Sequence, residues 1–94
     1  MRYLVESYLP ATDGPEQLER VVARSRAAAD ELAREGAVLR YIEAILVPED
    51  EMCLLVYEAE SPELAAEAST RAGIAFERVL RATGDLDSRQ GGKT

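Results

Sequence analysis

An α+β domain with the element order β-α-β-β-α-β is predicted from three stretches of the chain. Leu39 to Ala59 holds two β-rich runs around the polar turn Pro48-Glu49-Asp50-Glu51, the pattern of a hairpin. Before it, residues 15–36 repeat apolar side chains at helical spacing between a proline and a glycine. After it, Ser61-Pro62-Glu63 opens a second helix, and a short β-rich run follows Gly73.

Taken in order, Arg2 to Leu9 reads as the first strand, supplied with β-formers by Tyr3, Leu4, Val5, Tyr8 and Leu9 and stopped by Pro10. Alternation puts Tyr3, Val5 and Ser7 on one face and Arg2, Leu4, Glu6 and Tyr8 on the other. Ala11 to Pro15 turns into a helix, with Pro15 preorganised for the first helical position and Glu16 and Glu19 favoured by the helix dipole. Leu18, Val21, Val22, Ala28, Ala29 and Leu32 form its apolar stripe, and Gly36 is its C-terminal cap. Val38 to Val47 is the second strand and Met52 to Ala59 the third, apolar on both faces until Glu58, as a central strand should be. Ser61 caps the second helix, which runs to about Ala72 with a small inner stripe of Leu64, Ala65, Ala68 and Ala72. Ile74 and Phe76 then plug the end of the core, and Glu77 to Thr83 is the fourth strand, with Val79 and Leu80 on opposite faces.

Two right-handed crossovers around a hairpin give a ferredoxin-like sandwich. Its four-stranded antiparallel or mixed sheet is expected to have the first and third strands central and parallel, the second and fourth at the edges, and both helices on one face. Residues 1–83 make this domain, and the polar run 84–94 is expected to be a flexible tail.

Composition removes several kinds of chemistry. The chain has 94 residues, enough for one domain, and a formal charge of −7, which argues against nucleic acid or an anionic membrane surface as a partner. It has no His, which removes Ser-His-Asp and Cys-His nucleophiles and every imidazole-ligated metal site. A single Cys53 permits no internal disulfide and no multi-cysteine zinc site, and an unpaired thiol suits a reducing cytoplasm. No signal peptide or bilayer-spanning run is read. Cys53 has no neighbouring base to make it a thiolate and reads as a core or edge residue. Glu49, Asp50 and Glu51 match no calcium-loop spacing and read as a solvated turn. Gly92-Lys93-Thr94 lacks the upstream glycine and following helix of a phosphate loop, since Asp87 stands where the glycine belongs. No metal site and no cofactor is predicted.

Two helices on one face leave the other face of the sheet uncovered. Alternation cannot hide both Leu54 and Leu55 under helices, nor both Leu39 and Ile42. A homodimer is expected, with two sheets facing each other as an α+β barrel, in place of a monomer with a half-wet sheet or one with its tail folded over the face. Polar residues projecting between the sheets would define a ligand site: Glu6 and Tyr8 on the first strand, Tyr41 and Glu43 on the second, Tyr57 on the third. Regular alternation places Tyr41 and Glu43 on one face with Leu39 and Ile45. The plainer alternatives are a solvated edge carboxylate for Glu43 and core packing for Tyr57.

The segments Tyr3-Leu4-Val5-Glu6, Val56-Tyr57-Glu58-Ala59, Ser61-Pro62-Glu63 and Arg71-Ala72-Gly73-Ile74 resemble a small bacterial family of uncharacterised ferredoxin-like domains. That family includes a nickel-binding, nickel-responsive protein. The resemblance runs from Tyr3 to about Thr83 and implies a ferredoxin-like dimer. Relatives often carry Trp-x-His in the second strand, where this chain has Tyr41-Ile42-Glu43, and some carry a His in the second helix, where it has Ala68. Nickel favours imidazole nitrogen, so nickel binding is not carried over. A cavity of altered polarity, suited to an organic ligand, is what remains.

The function expected is therefore a non-catalytic dimer binding a small molecule or ion in its barrel. One alternative is a small cofactor-free enzyme of isomerase, cyclase or oxygenase type, with Glu6 or Glu43 as acid or base and a Tyr steering the substrate. The other is a protein-interaction module using a sheet edge or a helix.

Overall fold

The computed structural model describes residues 1–10 and 14–83. The turn at 11–13, the tail at 84–94 and the Gly92-Lys93-Thr94 motif lie outside the described residues. The elements are β1 (Arg2–Tyr8), α1 (Gly14–Arg34), β2 (Leu39–Val47), a 3-10 turn (Pro48–Asp50), β3 (Met52–Ala59), α2 (Pro62–Arg71) and β4 (Phe76–Ala82). The sheet runs β2-β3-β1-β4, a ferredoxin-like α+β fold.

All three ladders are antiparallel, β1 with β3, β1 with β4 and β2 with β3. The expectation of parallel central strands is thus corrected. Each helical crossover returns the chain in its original direction, so β1 runs with β2 and β3 runs with β4. The hairpin sets one pair against the other, and every neighbour in the sheet comes from the opposite pair.

Both helices stop by the same device. After α1, Gly36 at φ 103° sends its N–H to the Ala33 carbonyl, and Ala37 N–H reaches back to Leu32, each at 3.0 Å. After α2, Gly73 at φ 74° bonds Thr70 at 3.0 Å, and Ile74 N–H bonds Ser69 at 2.9 Å. These paired bonds satisfy carbonyls that the helix end leaves open, and the left-handed turn they need favours glycine. At its start α2 is capped by Ser61, whose Oγ accepts the Leu64 N–H at 3.3 Å. In the hairpin turn Glu51 takes the left-handed conformation and returns its N–H to Pro48.

The core lies between the helices and one face of the sheet. Tyr3, Val5 and Ser7 of β1, Leu39 of β2, and Cys53, Leu55, Tyr57 and Ala59 of β3 are buried there. Against them pack Val21, Ser25, Ala28, Ala29 and Leu32 of α1, and Ala65, Ala68 and Ser69 of α2. Ile74 is buried and Phe76 packs against the cluster, as expected of the residues closing its end.

Two irregularities decide which side chains meet. In β2 the pairing steps from Tyr41↔Tyr57 to Glu43↔Val56, so Ile42 is an extra residue in the ladder. In β4 it steps from Arg78↔Glu6 to Phe76↔Ser7, so Glu77 is extra. A bulge of this kind breaks strict alternation.

Candidate functional site on the open face of the sheet

The face away from the helices carries Leu4, Glu6 and Tyr8 on β1, Met52, Leu54 and Val56 on β3, Glu43, Ile45 and Val47 on β2, and Arg78 and Leu80 on β4. Among the described residues no helix crosses it. Val56, in the middle, is buried, whereas Ile45 and Tyr8 are exposed. A long apolar surface of this sort is the kind that proteins cover.

The bulge at Ile42 separates the expected site residues. Tyr41 pairs with Tyr57 and lies on the helix side with Leu39, while Glu43 and Ile45 lie on the open face. The expectation that Tyr41 and Glu43 share a face is therefore corrected: one inserted residue inverts everything after it. Tyr57 is fully buried under the helices. Its ring meets that of Tyr41 edge-on, and the Arg26 guanidinium lies 5.5 Å from the Tyr41 ring centroid. Both phenols are pushed up, Tyr41 to about 12, chiefly by burial; the Arg26 charge works against this at Tyr41, and the Ser25 and Ser69 hydroxyls at Tyr57. Glu6, Tyr8 and Glu43 do share the open face.

Glu6 is not an isolated carboxylate. Arg78, across the β1–β4 ladder, donates from Nε to Glu6 Oε1 at 2.9 Å and from Nη2 to Oε2 at 3.4 Å. The Glu6 side chain is 14% exposed and that of Arg78 65%, so a half-sunken acid holds a guanidinium that faces outward. Beside the pair, a cleft of about 180 Å³ is lined by Glu6, Ser7, Tyr8, Asp50, Glu51, Met52 and Glu77. It joins the open face to the hairpin turn, and Tyr8 Oη donates to Glu51 Oε1 at 3.4 Å along its wall.

A larger hollow of about 330 Å³ lies between the helices, over Ala27, Ala28 and Ala72. Its Arg71 is already shared among Glu31, Glu35 and Glu67. The hollow follows from small side chains at the helix contact and lies away from the sheet residues described above. Cys53 is 1% exposed, and burial pushes its thiol up, with the nearby Ser7 hydroxyl working against it. That hydroxyl donates to the Cys53 carbonyl at 3.0 Å. The core reading of Cys53 holds. Among the described residues no three His, Cys, Asp or Glu side chains converge to hold a metal ion. Likewise no helix among them is long and apolar enough to cross a membrane.

Arg78, Glu77 and the two buried serines were not anticipated from sequence. Arg78 becomes visible only once the β1–β4 register is known. Ser25 and Ser69 did leave a signal, as polar residues within apolar helical stripes.

No protein-family model matches the chain, and no curated protein matches it. Among solved structures it is similar to the crystal structure of SCO4226 from Streptomyces coelicolor A3(2), with a TM-score of 0.72 at 13% identity, over 87% of this chain and 95% of that one. At that identity the likeness shows the ferredoxin-like fold and nothing finer.

Proposed function

We propose that the chain is a non-catalytic binding protein that pairs through the open face of its sheet, as a two-fold dimer enclosing a site for a small molecule or ion. The observation that carries this reading is the composition of that face: Leu4, Leu54, Val56, Ile45 and Leu80 form an apolar field interrupted by the Glu6–Arg78 pair and by Glu43. Apolar area of this extent favours burial against a matching surface, and a second copy offers one by symmetry. Polar groups within such a closed space supply orientation and specificity to a ligand. The resemblance to the family with a nickel-responsive member fits a binding role, although a chain without His favours a ligand other than nickel. The lone, buried Cys53 suits a cytoplasmic setting.

The catalytic alternative has less behind it. Glu6 is engaged by Arg78, and Glu43 stands exposed at an edge strand, so neither is a carboxyl isolated in an apolar pocket. The test has two arms. Sedimentation of the full chain should return twice the monomer mass. A thermal-shift panel of small acids, amines, aromatic metabolites and divalent ions should raise Tm in proportion to occupancy for at least one class. A monomer at all concentrations, unmoved by the whole panel, would sink the reading.

A further inference from the structure

The open face carries opposite charges at its two edges. The registers lay that face out in rows running across β2, β3, β1 and β4. Glu43 on β2 shares a row with Leu80 on β4, and Ile45 on β2 shares the next row with Arg78 on β4. Glu43 is exposed and makes no hydrogen bond or ion pair among the described residues. Arg78 spends Nε and Nη2 on Glu6, yet its side chain is 65% exposed. A guanidinium has five N–H donors, so the outward end of Arg78 keeps donors to spare. One edge of the face thus holds an unused acceptor and the other an under-used donor.

A two-fold axis lying between two such faces has two plain settings. Along the strands, it keeps every row level and exchanges the edges, so β2 of each copy lies over β4 of the other. Ile45 then faces Arg78 of the partner subunit, and Glu43 stands one row away, about 7 Å along the strand. Two long side chains meet across that diagonal. The same setting lays β3 over β1, so Glu58 faces Arg2 of the partner subunit, a second opposite pair. Across the strands, the axis lays each strand over its own counterpart and reverses the rows. Centred on the same two rows, it brings Arg78 beside Arg78 of the partner subunit and Glu43 beside Glu43 of the partner subunit. Like charges closed into an interface are strongly unfavourable, whereas opposite charges fix its register.

We infer, resting on the dimer proposed above, that its two-fold axis runs along the strands and that Glu43 of each copy accepts the outward N–H groups of Arg78 of the partner subunit. Each Arg78 then bridges its own Glu6 and a carboxylate of the other chain. Symmetry makes two such bridges, one on either side of the apolar centre. The polar edge of the enclosed space is therefore built from both chains: Glu6 and Arg78 from one, Glu43 from the other.

The experiment pairs sedimentation equilibrium with thiol cross-linking of the full chain. Glu43→Arg alone and Arg78→Glu alone should each self-associate about tenfold or more weaker than the wild type. An equal mixture of the two variants should recover the affinity, since each bridge again joins opposite charges. Cross-linking reads the axis directly, at concentrations where sedimentation shows the dimer. A short bis-maleimide should join Glu43→Cys chains to Arg78→Cys chains and should join neither variant to itself; the native Cys53 is buried. A dimer in which Glu43→Cys links to its own copy, or in which Glu43→Arg leaves the affinity unchanged, overturns this axis and leaves the pairing of faces standing. A wild-type chain that stays monomeric at every concentration overturns the pairing as well, and the face then belongs to another occupant.

Discussion

Tyr41 stands edge-on to Tyr57, their ring centroids 5.7 Å apart and their planes at 75°. The two residues face each other across the β2–β3 ladder, on the helix side of the sheet. This is a favourable aromatic arrangement, and it makes the pair part of the core's closure along the α1 side instead of a lining for the open face.

The pair sets an alkaline limit on stability. Burial holds the Tyr41 phenol up at about 12 and raises that of Tyr57 as well. An unfolded chain releases these protons near pH 10. Between the two values the folded state binds more protons than the unfolded one, so unfolding becomes easier as pH rises. The stability is whole below pH 10 and is lost as pH climbs towards 12. Urea midpoints measured at intervals from pH 9 to 12 should fall steadily, and Tyr41→Phe should flatten the decline. A midpoint independent of pH across that range would contradict the assignment.

Leu54 and Leu55 are neighbours in sequence with opposite duties. Leu55 is fully buried under the helices, while Leu54 faces away from them. Leu55→Ala should cost about 2–5 kcal/mol in urea unfolding. Leu54→Asp should leave the circular dichroism spectrum intact and halve the sedimenting mass. Loss of mass in the first variant only, or of fold in the second only, would invert the assignment of faces.

Gly36 and Gly73 both lie in left-handed backbone, and a methyl group added at either would meet no atom within 4 Å. The cost of Gly36→Ala or Gly73→Ala is then backbone strain alone, about 1 kcal/mol each. Because the two sites end different helices, the double variant should show a nearly additive loss. A much larger loss at either position would mean that the added methyl does clash.

Cys53 should be slow towards thiol reagents. Its thiol is buried, and burial holds it in the protonated form at neutral pH. Labelling by a disulfide reagent is expected to track global unfolding and to become immediate in denaturant. Rapid labelling of the native chain would place the thiol at the surface.

Most of the architecture was legible in the residues themselves. The third strand was read with its observed limits, because Pro48 before it and Ser61-Pro62 after it leave little choice. The helix ends followed from Gly36 and Gly73. Strand direction is not legible from element order alone, because the strands joined through a helix run parallel without being neighbours, while the sheet sets β1 between β3 and β4. The candidate site was half legible. Glu6, Tyr8 and Glu43 fell on the open face, whereas Tyr41 and Tyr57 went under the helices. A period of two has no means of announcing an inserted residue, since Ile42 is an unremarkable β-former in a run of β-formers. Arg78 was hidden for a different reason: its partner Glu6 is 72 positions away, and only the register joins them.

The extra residue at Ile42 makes β2 a strand in two phases. Remove it, and the ladder would close into plain alternation, with Tyr41 still opposite Tyr57 and Glu43 still opposite Val56. A one-codon deletion there would leave every later side chain of the strand on its present face. The spare residue is thus slack in the strand, a position it can lose without slipping against its neighbour.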